Sequence, residues 1–200
     1  MVEESRVRED ELRAARPVRG RLLDLSSSRR ERNEPYNLPL SIEHRPPATE
    51  RVLRALEDLG VLTEVRTFAE STATAEAAAS AVGTSVGRIV KSLVFATRDG
   101  QPILALVSGA NRVDLSLLAA SVGQAVARAD ADRVREATGF AIGGIPPVGH
   151  RSPLPVYVDI DLLQFDQVWA AAGTPNSVFC IDPRRLVEVT RGQVVELKAQ

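Results

Sequence analysis

The sequence predicts an α+β fold: a mixed, largely antiparallel sheet with short packed helices. Two patterns carry that reading. Short apolar runs with a period of two are separated by turn residues, as in Ile89–Ala96 and Pro102–Ser108 joined by Arg98-Asp99-Gly100. Between them lie helical segments of only a few turns, each opened by a capping residue or closed by glycine, and no internal repeat connects them.

Taken along the chain, Val52, Leu53, Leu56 and Leu59 share one helical face, and Gly60 is placed to end that helix. Leu62–Phe68 reads as a strand, Ala75–Val82 as an alanine-rich helix stopped by Gly83, and Ile89–Ala96 as the next strand. Pro102 opens the strand to Ser108, because proline is tolerated where a strand begins. Asp114 and Asp130 are N-caps for two helices ended by Gly123 and Gly139, with a short strand, Gln124–Arg128, between them. Val156–Ile160, Val168–Ala172 and Val178–Ile181 read as strands, Asp182-Pro183 as a helix start, and Val194–Leu197 as a closing strand.

The chain's 200 residues suit one medium domain plus an extension. Residues 1–45 hold ten arginines and nine acids broken by prolines and a serine run, which is the composition of a flexible or peripheral extension. The diproline Pro46-Pro47 marks the boundary of a domain spanning 46–200. No apolar run approaches the roughly 20 residues needed to cross a bilayer, and the acid-rich N-terminus fits neither a signal nor a transit peptide, so a soluble, cytoplasmic protein with no membrane partner is expected. One cysteine, Cys180, and two histidines, His44 and His150, provide no disulfide and no metal-ligand pattern, so neither metal nor cofactor is expected. A net charge of -1 supplies no global field for long nucleic acid, which confines any RNA contact to a local site.

Only two of the 25 basic side chains are lysine, Lys91 and Lys198. In Ile89–Phe95 both faces of the strand are apolar, so the Lys91 ammonium needs a cleft or a partner, unless it lies at a sheet edge where its head reaches water. A second unusual stretch is Phe140-Ala141-Ile142-Gly143-Gly144-Ile145-Pro146-Pro147-Val148-Gly149-His150. It is either a rigid loop whose glycine amides face a ligand or a plain glycine–proline connection. A third, Ala172-Gly173-Thr174-Pro175-Asn176-Ser177, needs no role beyond a turn.

Together with Asn111-Arg112-Val113-Asp114, and in this order, these segments resemble the YbaK/prolyl-tRNA-synthetase-associated editing domain, the INS superfamily, from about Arg51 to Glu196. The resemblance implies a pocket for the aminoacylated 3′ end of tRNA, with Lys91, Gly143 and Gly144 as catalytic positions. Ser92, Ile145, Pro146, Pro147, His150, Gly173, Thr174, Asn176 and Ser177 are implied as substrate-binding. It further implies a hydrolase of the aminoacyl-tRNA ester bond that uses neither metal nor covalent nucleophile. Thr174 and Asn176 stand where relatives vary, so the choice of amino acid does not carry over.

No synthetase signature or anticodon-binding module fits this length, so the domain is expected to act in trans on the acceptor end of mischarged tRNA, with a synthetase or elongation factor as a transient partner. The alternative is a module that binds aminoacyl-tRNA or an aminoacyl group without hydrolysing it. A serine or cysteine hydrolase built on His150 with Ser152 or Cys180 lacks a Gly-x-Ser-x-Gly elbow and a selectable acid.

Overall fold

A computed structural model describes residues 45–199. The extension expected over residues 1–45 lies, but for its last residue, outside the described residues.

Strands β1 (Val65–Thr67), β2 (Ile89–Thr97), β3 (Pro102–Ser108), β4 (Val126–Arg128), β5 (Val156–Asp159), β6 (Val168–Ala171), β7 (Ser177–Ile181) and β8 (Gln193–Val195) form one sheet. Its order is β1-β7-β6-β2-β3-β5-β8, and β4 also pairs with β2. The β1–β7, β2–β3, β2–β4 and β6–β7 pairings are antiparallel, whereas β2–β6, β3–β5 and β5–β8 are parallel. The mixed, largely antiparallel sheet expected from the sequence is the one formed.

Alternation along the central strands builds a core on each face. Val90, Val94, Leu104 and Leu106 pack with Val52 and Leu56 of α1 (Pro47–Asp58), Val134 of α4 (Ala131–Thr138) and Leu186 of α5 (Pro183–Thr190). On the other face Phe95, Ile103, Ala105 and Val107 meet Leu118 of α3 (Leu115–Val122). Beside them Ile89 meets Ala75, Ala78 and Ala79 of α2 (Ala75–Val82).

Helix limits follow local chemistry. The side chains of Thr74, Asp114, Asp130 and Asp182 accept N–H bonds in the first turns of α2, α3, α4 and α5, satisfying donors that a helix start leaves without partners. Pro46 and Pro47 stand at the start of α1, where proline at the first helical position loses no hydrogen bond.

Several expected strands come out shorter, most clearly the first and the last. Of Leu62–Phe68 only Val65–Thr67 pairs, with β7, and Leu62 is 90% exposed. At the C-terminal end the strand is Gln193–Val195. Beyond it Leu197 turns into the second core, and its carbonyl accepts from Asp114 N–H.

Candidate functional site

Lys91 is the third residue of β2, on the face shared with Ile89 and Leu93. Its Nζ donates to the Gly109 carbonyl at 3.1 Å and to the Asn111 carbonyl, both in the loop after β3. The alternatives left open by the sequence resolve in favour of a partnered, half-buried lysine at a cavity wall. Burial pushes its ammonium below the ordinary lysine range. The carboxylates of Glu76 and Asp159 oppose that shift, and Arg128 and Arg112 add to it.

The loop that holds Lys91 is itself clamped. Asn111 Nδ2 donates to Asp159 Oδ2 and to Asp161 Oδ2, both at 2.8 Å, and the fully buried Asp159 also accepts from Ser108 N–H at 3.2 Å. A buried carboxylate is tolerated because these donors replace its water. Gly109 permits the close approach: a Cβ there would stand 2.2 Å from the Val86 carbonyl and 3.0 Å from Ala75 Cβ. Only glycine lets the Val86 turn that follows α2 sit against this end of the β2–β3 hairpin.

The cavity beside Lys91 has a volume of about 450 Å³. Its wall is mostly apolar, with Ile89, Leu93, Ile145, Trp169 and Val178 among its members, and Glu76 and Lys91 are its charged residues. A few polar groups on an apolar wall is the usual make-up of a small-molecule site.

Of the positions marked by the sequence, the fold brings Lys91, Ser92, Gly143 and Ile145 together around this cavity. Ser92 Oγ is buried and has no hydrogen-bond partner among the described residues. Gly143, at φ 90°, turns the loop toward Ala73. The remaining positions are not part of the cavity wall. Gly144 packs on Thr174, where a Cβ would meet main-chain atoms at 2.7 and 2.8 Å, and its N–H donates to Ala141 O at 3.1 Å. Pro146 and Pro147 are buried. His150 Nε2 bonds Pro146 O at 2.7 Å, and its ring meets the Phe140 ring edge-on. His150 lines a separate cavity with Arg51 and Arg54, and burial lowers its pKa.

Gly173, Thr174 and Asn176 lie in the turn between β6 and β7, and Ser177 opens β7. Thr174 Oγ1 bonds Ser177 Oγ at 2.7 Å and Asn176 Oδ1 at 2.9 Å, and Asn176 Nδ2 donates to Phe68 O at 2.9 Å. These bonds hold the turn against the segment that follows β1.

Sequence reasoning did not single out Glu76 or Trp169, and it marked Ile142 only as part of the glycine–proline stretch. Glu76 carries a signal only in retrospect, as a carboxylate in the first turn of a helix whose other residues are nearly all alanine or small. Trp169 reads as an ordinary strand residue until β6 is known to lie beside β2.

Residues 69–189 match the model of the aminoacyl-tRNA editing domain family. YwhH of Bacillus subtilis strain 168, a protein of uncharacterised function, is 34% identical over 131 residues, which is 66% of this chain and 83% of that protein. EbsC of Enterococcus faecalis V583, described as a candidate Cys-tRNA(Pro)/Cys-tRNA(Cys) deacylase, is 28% identical over 131 residues, 65% of this chain and 80% of its own length. Among solved structures, a candidate trans-editing enzyme for prolyl-tRNA synthetase superposes with a TM-score of 0.75 at 49% identity, covering 78% of this chain and all of that one. The chain belongs to the aminoacyl-tRNA editing domain family.

Proposed function

We propose that the protein is a trans-acting deacylase that hydrolyses the ester of mischarged aminoacyl-tRNA. The observation that carries this reading is the Lys91 ammonium, fixed by two main-chain carbonyls at the wall of a cavity of about 450 Å³. An aminoacyl ester is already activated, so catalysis needs little beyond a placed water and stabilisation of the charge that develops on the carbonyl oxygen. Water adds to the carbonyl carbon and the ester C–O bond breaks. The amino acid leaves as a free carboxylic acid, and the proton of the attacking water ends on the terminal hydroxyl of the tRNA.

Lys91 supplies positive charge to the ester oxygen or the terminal phosphate, and Gly143 and Ile145 wall the loop side. Ser92 faces the substrate from the strand. The names of two relatives support tRNA(Pro) as the carrier, with cysteine as one wrongly attached amino acid. Among the described residues no group of three or more His, Cys, Asp or Glu could hold a metal ion.

The test is release of free amino acid from tRNA(Pro) carrying alanine, cysteine, serine or threonine, with prolyl-tRNA(Pro) as the correctly charged control and each reaction run with and without chelator. Hydrolysis of one or more mischarged species supports the reading. Tight binding without release identifies a binding module instead, and activity that disappears with chelator and returns with zinc overturns the metal-free mechanism.

A further inference from the structure

One edge of β2 is interrupted. Ile89 and Val90 pair with Trp169 and Ala170 of β6, and Phe95–Thr97 pair with Arg128–Val126 of β4. Between these two short ladders, Lys91, Ser92 and Leu93 line the cavity. The direction of their main-chain groups follows from the ladder on the other edge. Gly109 N–H donates to Ile89 C=O at one end of the β2–β3 hairpin, and Thr97 N–H donates to Gln101 C=O at the other. In an antiparallel pair, alternate residues turn both groups toward the partner, so the odd-numbered residues of β2 face β3 and the even-numbered ones face the interrupted edge. Bonds on that edge agree: Ala129 N–H donates to Val94 C=O, and Arg98 N–H donates to Ala125 C=O.

Ser92 is therefore the residue whose N–H and C=O both point into the gap. The pairing with β6 ends at Val90 and Ala170, one step before it would engage the Ser92 N–H. The buried Ser92 Oγ also lacks a partner among the described residues. A donor and an acceptor of one residue, both facing a cavity, are costly to leave unmatched.

We propose that the aminoacyl group of the substrate binds in this gap as a one-residue strand, with Ser92 N–H donating to the ester carbonyl oxygen and Ser92 C=O accepting from the α-ammonium. This deepens the deacylase reading and rests on it. An α-amino ester presents the acceptor and donor that one residue of an antiparallel strand would offer across the gap. The N–H bond to the carbonyl oxygen strengthens as that oxygen gains charge, and the carbonyl–ammonium bond is charge-assisted. Directly opposed residues of an antiparallel pair carry their side chains on the same face. The amino-acid side chain then lies on the Ser92 side of the sheet, where Val90, Ala170 and Ile145 line the cavity. The site reads the α-amino ester through its own main chain, so recognition of that class is independent of the side chain.

The experiment uses the full chain and single-turnover release from whichever mischarged tRNA it hydrolyses fastest. Ser92→Pro deletes the N–H on an edge where no ladder bond is lost, and Ser92→Ala keeps it. The proline variant is expected to fall at least about a hundredfold below the alanine variant, as for removal of one oxyanion donor. In the second arm the wild type is given the same tRNA bearing the des-amino acyl group, with each rate divided by its spontaneous hydrolysis. The enhancement is expected to drop at least about tenfold, because a charged hydrogen bond is lost. Equal rates for the two variants, both folded by their melting curves, overturn the proposal. If the proline variant does not fold, equal enhancement of the amino and des-amino substrates overturns it. A wild type that hydrolyses no aminoacyl-tRNA defeats the deacylase reading itself.

Discussion

Lys91 donates from Nζ to the main-chain oxygen of Asn111, whose side chain is in turn tied to Asp159 at 2.8 Å. The end of β5 thus fixes the loop that fixes the ammonium. Asn111→Ala removes the Nδ2 bonds to both Asp159 and Asp161, while Asp159 keeps its main-chain donors. A loss of about 1.5–3 kcal/mol in stability is expected for hydrogen bonds to buried carboxylate, seen as a lower Tm. The deacylation rate should fall beyond what unfolding accounts for, because Lys91 loses its fixed carbonyl partners. A variant unchanged in both melting and rate would show that the clamp does not act on Lys91.

The pH response of Lys91 has a definite sign. Burial holds the folded ammonium below the ordinary lysine value, so between the folded and unfolded pKa the unfolded chain carries more protons. This group's contribution to stability therefore rises with pH across that window, while a rate that needs the ammonium falls. The chain has two lysines, so selective ¹³Cε-lysine labelling gives two side-chain signals, assigned with Lys198→Arg. The Lys91 signal should titrate below the ordinary lysine value, and its midpoint should coincide with the alkaline fall in rate.

Much of the fold was legible in the chain because it depends on local chemistry. The limits of α2 follow from the Thr74 cap and the left-handed Gly83, and the β2–β3 hairpin from two apolar runs around Arg98-Asp99-Gly100. The parts misjudged in length depend on pairing. Leu62 is apolar enough for a strand, yet β7 pairs only with Val65–Thr67, and Leu197 leaves the sheet to fill the core beneath α3. At the site, Lys91 stood out as a cation among apolar neighbours. The contribution of α2 and β6 to the same cavity depends on chain crossings that no local pattern encodes. The gap beside Ser92 likewise exists only because β6 and β4 stop short of each other on one edge of β2.

Gly144 is expected to act through packing. A methyl group at this position would stand 2.7 Å from the Thr174 carbonyl carbon, which is main chain and cannot swing aside. Gly144→Ala should cost about 1–3 kcal/mol, as overpacking does, and lower Tm. Calorimetry of the variant checks this, and an unchanged Tm would mean the loop and the β6–β7 turn separate freely.

His150 sets an acid-side dependence. Burial lowers its pKa, the hydrogen bond with the Pro146 carbonyl opposes that, and Arg51 adds the smallest, lowering contribution. Below the ordinary value of 6.5 the unfolded chain takes up a proton that the folded chain resists, so stability falls as the pH drops from 6.5 toward the folded pKa. Denaturation across that range should show a shallower decline in His150→Gln than in the wild type. Equal slopes would mean that protonation of His150 costs the fold nothing.

On the proposed mechanism the Lys91 ammonium promotes attack by water from the place where two carbonyls hold it. Single-turnover release of amino acid from a mischarged tRNA, with melting curves alongside, tests it most directly in Lys91→Ala and Lys91→Arg. Both variants are expected to fold and to lose at least about a hundredfold in rate, the arginine because a planar guanidinium cannot put its charge where the compact ammonium sits. A folded Lys91→Ala that hydrolyses at close to the wild-type rate would contradict the account.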